Sequence, residues 1–227
     1  TGATVSRAAR ERVIDLAEEM EIAVIEDAAY QSLRFDGDPI PPILALEAAR
    51  KGGDLEACRT IYCGSFSKTL SPGLRVGWVC AAMPVISQLV LMKQAADLHS
   101  ATLNQIAISS VAEQHFESHI DTIRSAYRAR RDAMLAALEA HMPKGVSWTK
   151  PEGGMFIWVT LPDTLDGAEL LKQSLESERV AFVPGHAFFA DGSGRNTLRL
   201  SYSTSTEDKI AEGIERLGQL ITRALNV

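Results

Sequence analysis

Ser65-Phe66-Ser67-Lys68-Thr69-Leu70-Ser71-Pro72-Gly73-Leu74-Arg75 follows the short apolar run Thr60 to Cys63. It therefore reads as a turn at the carboxyl end of a β-strand. Upstream, Ile22-Ala23-Val24-Ile25 runs into Glu26-Asp27 and reads as a second strand. Continuous β-branched runs of this kind suit a parallel sheet covered on both faces. In open α/β sheets, ligands collect outside the carboxyl ends of the strands. Two strand ends thus bring an acid, Asp27, and an amine, Lys68, to one rim, with Tyr30 three residues beyond the acid.

Outward from these strands the pattern is helix, strand, helix, strand, which means α/β. Ser6 to Met20 has Val13, Leu16, Ala17 and Met20 at helical spacing, with Ser6 placed as N-cap. A Pro-rich loop (Pro39, Pro41, Pro42) precedes a helix around Ile43 to Lys51, and Arg75 to Ala81 reads as a third strand. Ile86, Leu89, Val90 and Lys93 share a helical face. Leu103 to Phe116 then makes one helix and Ser118 to Met142 another, stopped by Pro143 and Gly145. The first helix looks like a crossover whose preceding strand is absent, so an N-terminal portion of a longer polypeptide is expected upstream of Thr1.

The remainder reads as α+β. Val146 to Thr149 and Met155 to Thr160 flank the turn Pro151-Glu152-Gly153-Gly154. A helix from Gly167 to Glu178 leads to a strand at Val180 to Val183. Thr197 to Tyr202 alternates, with Leu198, Leu200 and Tyr202 on one face and Thr197, Arg199 and Ser201 on the other. The last helix starts near Thr206 and presents Ile210, Ile214, Leu217, Ile221 and Leu225. Two domains are expected, 1–115 and 116–227.

The totals exclude little but point one way. The chain has 227 residues, 46% of them apolar, enough for a sizeable core. A net charge of −6 argues against a nucleic-acid surface, which needs a basic patch. No run approaches the ~20 apolar residues that span a bilayer. Cys58, Cys63 and Cys80 are odd in number and form no Cys-x-x-Cys pair. They read as thiols of a reducing compartment. A cytoplasmic protein is expected.

Lys68 alone reads as a solvated loop lysine, Asp27 as a turn residue and Tyr30 as a packing residue. Their order and placement at strand ends favour a joint role. An amine flanked by Ser65 and Ser67, with the fixed cation of Arg75 seven residues on, suits a phosphorylated aldehyde, pyridoxal 5'-phosphate (PLP). Lys68 would form the Schiff base and afterwards move a proton at the substrate Cα. That requires an amine pKa below the usual ~10.4, and nearby cations push it down. Asp27 would keep the pyridine nitrogen protonated, and Tyr30 would bond the ring oxygen. Ser65, Ser67 and Arg75 would hold the phosphate, Arg75 through a bidentate fork.

A rival exists in Ser65-Phe66-Ser67-Lys68, which satisfies the Ser-x-x-Lys pattern of penicillin-binding proteins. There the serine opens a helix, and Pro72-Gly73 would interrupt it here. The companion Ser-Asp-Asn and Lys-Thr-Gly motifs are absent. His115 and His119 share a helical face around Glu117 and read as a solvated helix end, so no metal site is expected. His186 reads as a residue near a substrate mouth, and Asp191-Gly192-Ser193-Gly194 as a flexible turn.

Several segments together carry a resemblance: Thr1-Gly2, Val24-Ile25-Glu26-Asp27-Ala28-Ala29-Tyr30, Gly64 to Lys68, and Gly73-Leu74-Arg75-Val76-Gly77-Trp78. Pro151 to Phe156, Phe182-Val183-Pro184-Gly185 and Leu198 to Tyr202 extend it. The chain resembles class I/II aminotransferases of PLP fold type I, nearest the 2-aminoadipate and kynurenine branch. The resemblance implies part of a large PLP-binding domain, a mostly parallel sheet with flanking helices, followed by a small C-terminal domain. It implies Lys68 as the catalytic lysine and Asp27, Tyr30, Ser65, Ser67 and Arg75 as cofactor ligands. Arg199 falls on the position that binds the substrate α-carboxylate. An L-amino acid and a 2-oxo acid such as 2-oxoglutarate are the implied substrates, and a homodimer the implied assembly.

Thr1-Gly2 looks like the tail of the family's Asn-Pro-x-Gly turn, so part of the cofactor's contacts would lie upstream. These residues alone are therefore expected to be an inactive fragment. A second reading stays open: the effector-sensing domain of a winged-helix transcription regulator, which the same resemblance covers. A PLP-dependent lyase is a third.

Overall fold

The computed structural model describes residues 2–226, so Thr1 of the Thr1-Gly2 pair lies outside the described residues. The chain divides into two compact units, Val5–Ile123 and residues 2–4 with 124–226.

In the unit Val5–Ile123, α1 (Arg7–Glu19) begins at Ser6, whose hydroxyl accepts a hydrogen bond from the Ala9 N–H. It buries Ile14 and Ala17. A three-stranded sheet follows, in the order β1 (Val24–Asp27), β2 (Thr60–Ser65), β3 (Gly77–Cys80). β1 and β2 are parallel, with Asp27 level with Cys63, whereas β2 and β3 are antiparallel, with Ser65 level with Gly77. The third strand starts later than the sequence suggests. Arg75 takes a left-handed conformation (φ 53°), and the Val76 carbonyl instead accepts from the Phe66 N–H.

α2 (Ile43–Arg50) follows Pro42, which supplies no side-chain cap. Glu26 does so from β1: its carboxylate accepts from the Ile43 and Leu44 N–H groups at 3.0 and 3.4 Å. Arg10 pairs with the same carboxylate at 3.6 Å and donates to the Pro41 carbonyl. Glu47, buried on α2, accepts from the backbone of Arg59 and Thr60 at 2.8 and 2.9 Å and so fixes the start of β2. Leu33, Phe35, Leu44 and Leu46 fill the core beside them.

α3 (Met83–Ala96) buries none of its residues. Leu91 and Met92 are exposed, as is Ile25 on β1. The two helices expected at 103–116 and 118–142 are a single helix, α4 (Thr102–His141). Neither Glu117 nor Ser118 is a Gly or Pro breaker, so nothing interrupts the hydrogen-bond ladder there. Among the described residues, no helix is long and apolar enough to cross a membrane.

In the other unit the sheet order is β4 (Ser147–Trp148), β5 (Phe156–Thr160), β7 (Thr197–Ser201), β6 (Val183–Pro184), all antiparallel. Alternation puts Ile157, Val159, Leu198 and Leu200 on the buried face. α6 (Glu207–Leu225) buries Ile210, Ile214, Leu217 and Ile221, and α4 contributes Met134 and Leu138. Leu225 is only half-buried. α5 (Gly167–Gln173) is capped by Asp166 and widens into a π turn over Ser174–Glu178. The strand expected at Val180 to Val183 shrinks to β6. Arg179 is left-handed (φ 56°), and Pro184, which lacks an N–H, sits on the sheet edge where that loss is tolerated.

Candidate active site

Lys68 lies in a turn built around one carbonyl. The Phe66 oxygen accepts from the N–H groups of Thr69, Leu70 and Ser71 at 3.3, 2.9 and 3.0 Å. The Phe66 ring packs on Trp78 (centroids 4.6 Å apart) and edge-on to Phe116 (6.3 Å). Thr69 is buried beneath. These contacts hold the turn from below and leave Lys68 partly exposed. Its Nζ stands 6.0 Å from the centroid of the Tyr30 ring, so the amine from the turn after β2 faces the ring from the turn after β1.

The hydroxyls and the guanidinium also converge. Ser65 Oγ accepts from the Ser67 N–H at 3.0 Å, and Arg75 Nη1 donates to Ser67 Oγ at 3.3 Å and to the Pro72 carbonyl at 3.2 Å. The backbone at Arg75 is left-handed, and its side chain turns back onto Ser67. For a non-glycine residue that conformation costs about 1 kcal/mol. Asp27 is exposed at the end of β1, where Oδ1 accepts from the Ala29 N–H at 3.4 Å, while the Ala28 N–H donates to the Cys63 carbonyl. Ser65, Ser67, Lys68, Arg75, Tyr30 and Asp27 thus all lie at or just beyond the carboxyl ends of the neighbouring strands β1 and β2. Two hydroxyls and a guanidinium are the donor set a phosphate needs, and an amine close by can reach a carbonyl carbon.

Arg199 belongs to the other unit. It sits on β7 opposite Trp158, on the sheet face away from the core. Its Cζ lies 4.1 Å from the Phe156 centroid and 4.8 Å from that of Phe188, and its Nε is buried with no hydrogen-bond partner among the described residues. A buried donor left unmet costs about 1–3 kcal/mol, which an arriving acceptor would recover. The turn before β5 is tied down by Arg131, which donates to the Pro151 carbonyl (2.8 Å), and by Tyr202, which donates to the Gly153 carbonyl (3.2 Å). Burial pushes the Tyr202 phenol well above its ordinary range. Gly2, with φ 71°, lies against this same region, a Cβ there reaching Thr149 Oγ1 at 3.0 Å.

The profile of the family described as "Aminotransferase class I and II" matches residues 1–217. The chain belongs to the class I and II aminotransferases. An aromatic-amino-acid aminotransferase of Thermococcus litoralis is 43% identical over 97% of the chain and 51% of its own length. Among solved structures, LysN, an α-aminoadipate aminotransferase from Thermus thermophilus complexed with N-(5'-phosphopyridoxyl)-L-leucine, superposes with a TM-score of 0.89 at 43% identity. The match covers 97% of this chain and 55% of that one. YdfD, an uncharacterized HTH-type transcriptional regulator of Bacillus subtilis, is 33% identical over 97% of the chain and 44% of its own length. The chain spans about half the length of these relatives. Its fold is that of the PLP fold type I aminotransferases.

Glu26, Phe156 and Phe188 were not singled out by the sequence pattern. Glu26 is marked only by being a carboxylate inside an apolar strand. Phe156 is legible through alternation, two residues before Trp158 on the Arg199 face. Nothing local marks Phe188, which reaches Arg199 from a separate turn.

Proposed function

We propose that the full-length protein is a PLP-dependent aminotransferase that moves an amino group from an L-amino acid to a 2-oxo acid, with 2-oxoglutarate the favoured acceptor. The observation that carries this reading is the meeting of Lys68 and Tyr30, beside the Ser65, Ser67 and Arg75 cluster, at the ends of two parallel strands. PLP, when bound, supplies an aldehyde that takes up amino groups and a ring that draws electrons from the substrate Cα.

The chain's own residues account for the rest. Ser65, Ser67 and Arg75 would hold the phosphate by charge-assisted hydrogen bonds. Asp27 would supply the carboxylate that stabilises a protonated pyridine nitrogen. Tyr30 would donate its hydroxyl to the ring oxygen. Lys68 would hold the aldehyde through its amine, and the same amine would serve as the base that takes a proton at the substrate Cα. Arg199 takes the α-carboxylate of the substrate, which would meet its unsatisfied Nε–H.

The same reading assigns residues 1–115 to the large PLP-binding domain and 116–227 to the small domain. It makes the complete protein a homodimer. A cytoplasmic setting rests on the free thiols of Cys58, Cys63 and Cys80. A second reading, an effector sensor in a winged-helix regulator, is favoured by the match to YdfD.

Borohydride reduction of the full-length protein with PLP, followed by peptide mapping, should place the adduct on Lys68, and Lys68→Ala should abolish it. An adduct elsewhere would remove the proposed lysine. An amino-donor screen against 2-oxoglutarate then separates the two readings, because a sensor binds the cofactor without sustained turnover.

A further inference from the structure

Arg199 is flanked by aromatic rings that the proposed chemistry does not itself require. Phe156 reaches its guanidinium along β5 (Cζ to centroid 4.1 Å), and Phe188 approaches at 4.8 Å from the turn Gly185–Phe188. That turn is pinned. A Cβ at Gly185 would collide with Thr197 Oγ1 and come within 2.8 Å of the Trp158 ring. Phe188 also meets Trp158 edge-on at 5.6 Å. Its ring is therefore held in place although it is 51% exposed.

Core packing explains a half-exposed phenylalanine poorly. The electron-rich face of a benzene ring attracts a cation, most strongly where water is displaced. Rings against a guanidinium also restrict its rotation and leave its N–H fork as the route to a ligand. That fork matches a planar carboxylate. We propose that Phe156 and Phe188 are positioning residues that hold the Arg199 guanidinium for bidentate capture of the substrate α-carboxylate. This rests on the reading of Arg199 as the carboxylate ligand.

The test uses the full-length, PLP-loaded protein with Phe188→Ala, Phe188→Leu, Phe188→Tyr and Arg199→Lys. The readouts are KM and kcat for the amino donor and the calorimetric Kd of hexanoate, a non-reacting carboxylate. Phe188→Ala should raise both KM and Kd by about 2- to 30-fold, the span of a cation–π contact, with kcat little changed. Phe188→Tyr keeps the ring face and should stay near the parent. Phe188→Leu fills the space without a ring and should behave like Phe188→Ala. Should Phe188→Ala not fold, the Leu and Tyr pair carries the comparison. Leu matching the parent would show that the ring acts only as packing, and a fall in kcat at unchanged KM would equally overturn the proposal. Arg199→Lys distinguishes the two layers. If it leaves KM and Kd unchanged, the carboxylate reading fails. If it raises them while Phe188→Ala is silent, only the positioning role fails.

Discussion

Arg75 combines two opposed demands in one residue. Its left-handed backbone favours glycine, yet its guanidinium is what reaches Ser67 Oγ. Arg75→Gly should therefore relax the backbone by about 1 kcal/mol and raise the unfolding temperature. The same change should weaken PLP binding by roughly 10- to 100-fold through loss of a charged phosphate ligand. Thermal melts and a PLP titration on the full-length protein check both, and a variant weakened in both would contradict the division. Asp166 offers a cleaner electrostatic case. N–H donation from Ala168, and also from Glu169, holds its carboxyl below the ordinary value of 3.8. A depressed carboxylate contributes stability that is present above its unfolded pKa and lost as pH falls through the folded one. Asp166→Asn keeps the cap without the charge. The stability difference between the parent and this variant should be constant above about pH 5 and shrink in more acidic denaturant titrations.

Elements in this chain are joined by side chains that reach across to another element's backbone. α2 begins at a proline with no cap of its own, and Glu26 on β1 supplies the acceptor while Arg10 on α1 neutralises it. Because strand side chains alternate, Glu26 faces that helix junction while Asp27 faces away. Glu26→Ala removes the acceptor from two N–H groups and the ion-pair partner of Arg10, so unfolding free energy should drop by about 2–3 kcal/mol, and Glu26→Gln should restore part of it. A loss below experimental error in denaturant melts would mean water replaces the carboxylate. α6 meets the end of α4 at Gly218, where a Cβ would run into the His141 carbonyl. Backbone cannot rotate aside as a side chain can, so Gly218→Ala should destabilise the fold by roughly 1–3 kcal/mol despite the better helix propensity of alanine.

For the molecule as a whole, the decisive feature is apolar surface without a cover. Ile25 on a parallel strand is 72% exposed, and α3 carries Leu91 and Met92 in the open. Parallel sheets are ordinarily packed on both faces, and large apolar side chains left this exposed are candidates for a contact surface. The 227 residues expressed alone should bind a hydrophobic dye and self-associate in sedimentation at micromolar concentration. They should also bind PLP poorly and show no transaminase rate. A monomeric species with a normal PLP absorbance would refute this.

Local sequence carried those features whose cause is local. The Ser65 to Arg75 turn, the helix-spaced apolar residues of α1 and α6, and the alternation of β7 that puts Arg199 on the face opposite Leu198 and Leu200 all arise within a few residues of chain. Identity with the family came from the same segments. Other features needed the folded chain because their cause is contact between distant segments. The start of β3 depends on Phe66 bonding back to Val76, and the Arg199 setting depends on Phe188 arriving from another turn. Glu26 becomes a helix cap only because α2 is brought beside β1. Periodicity reports what a segment prefers by itself, whereas hydrogen-bond and ring partners far along the chain exist only once loop closure has brought them together.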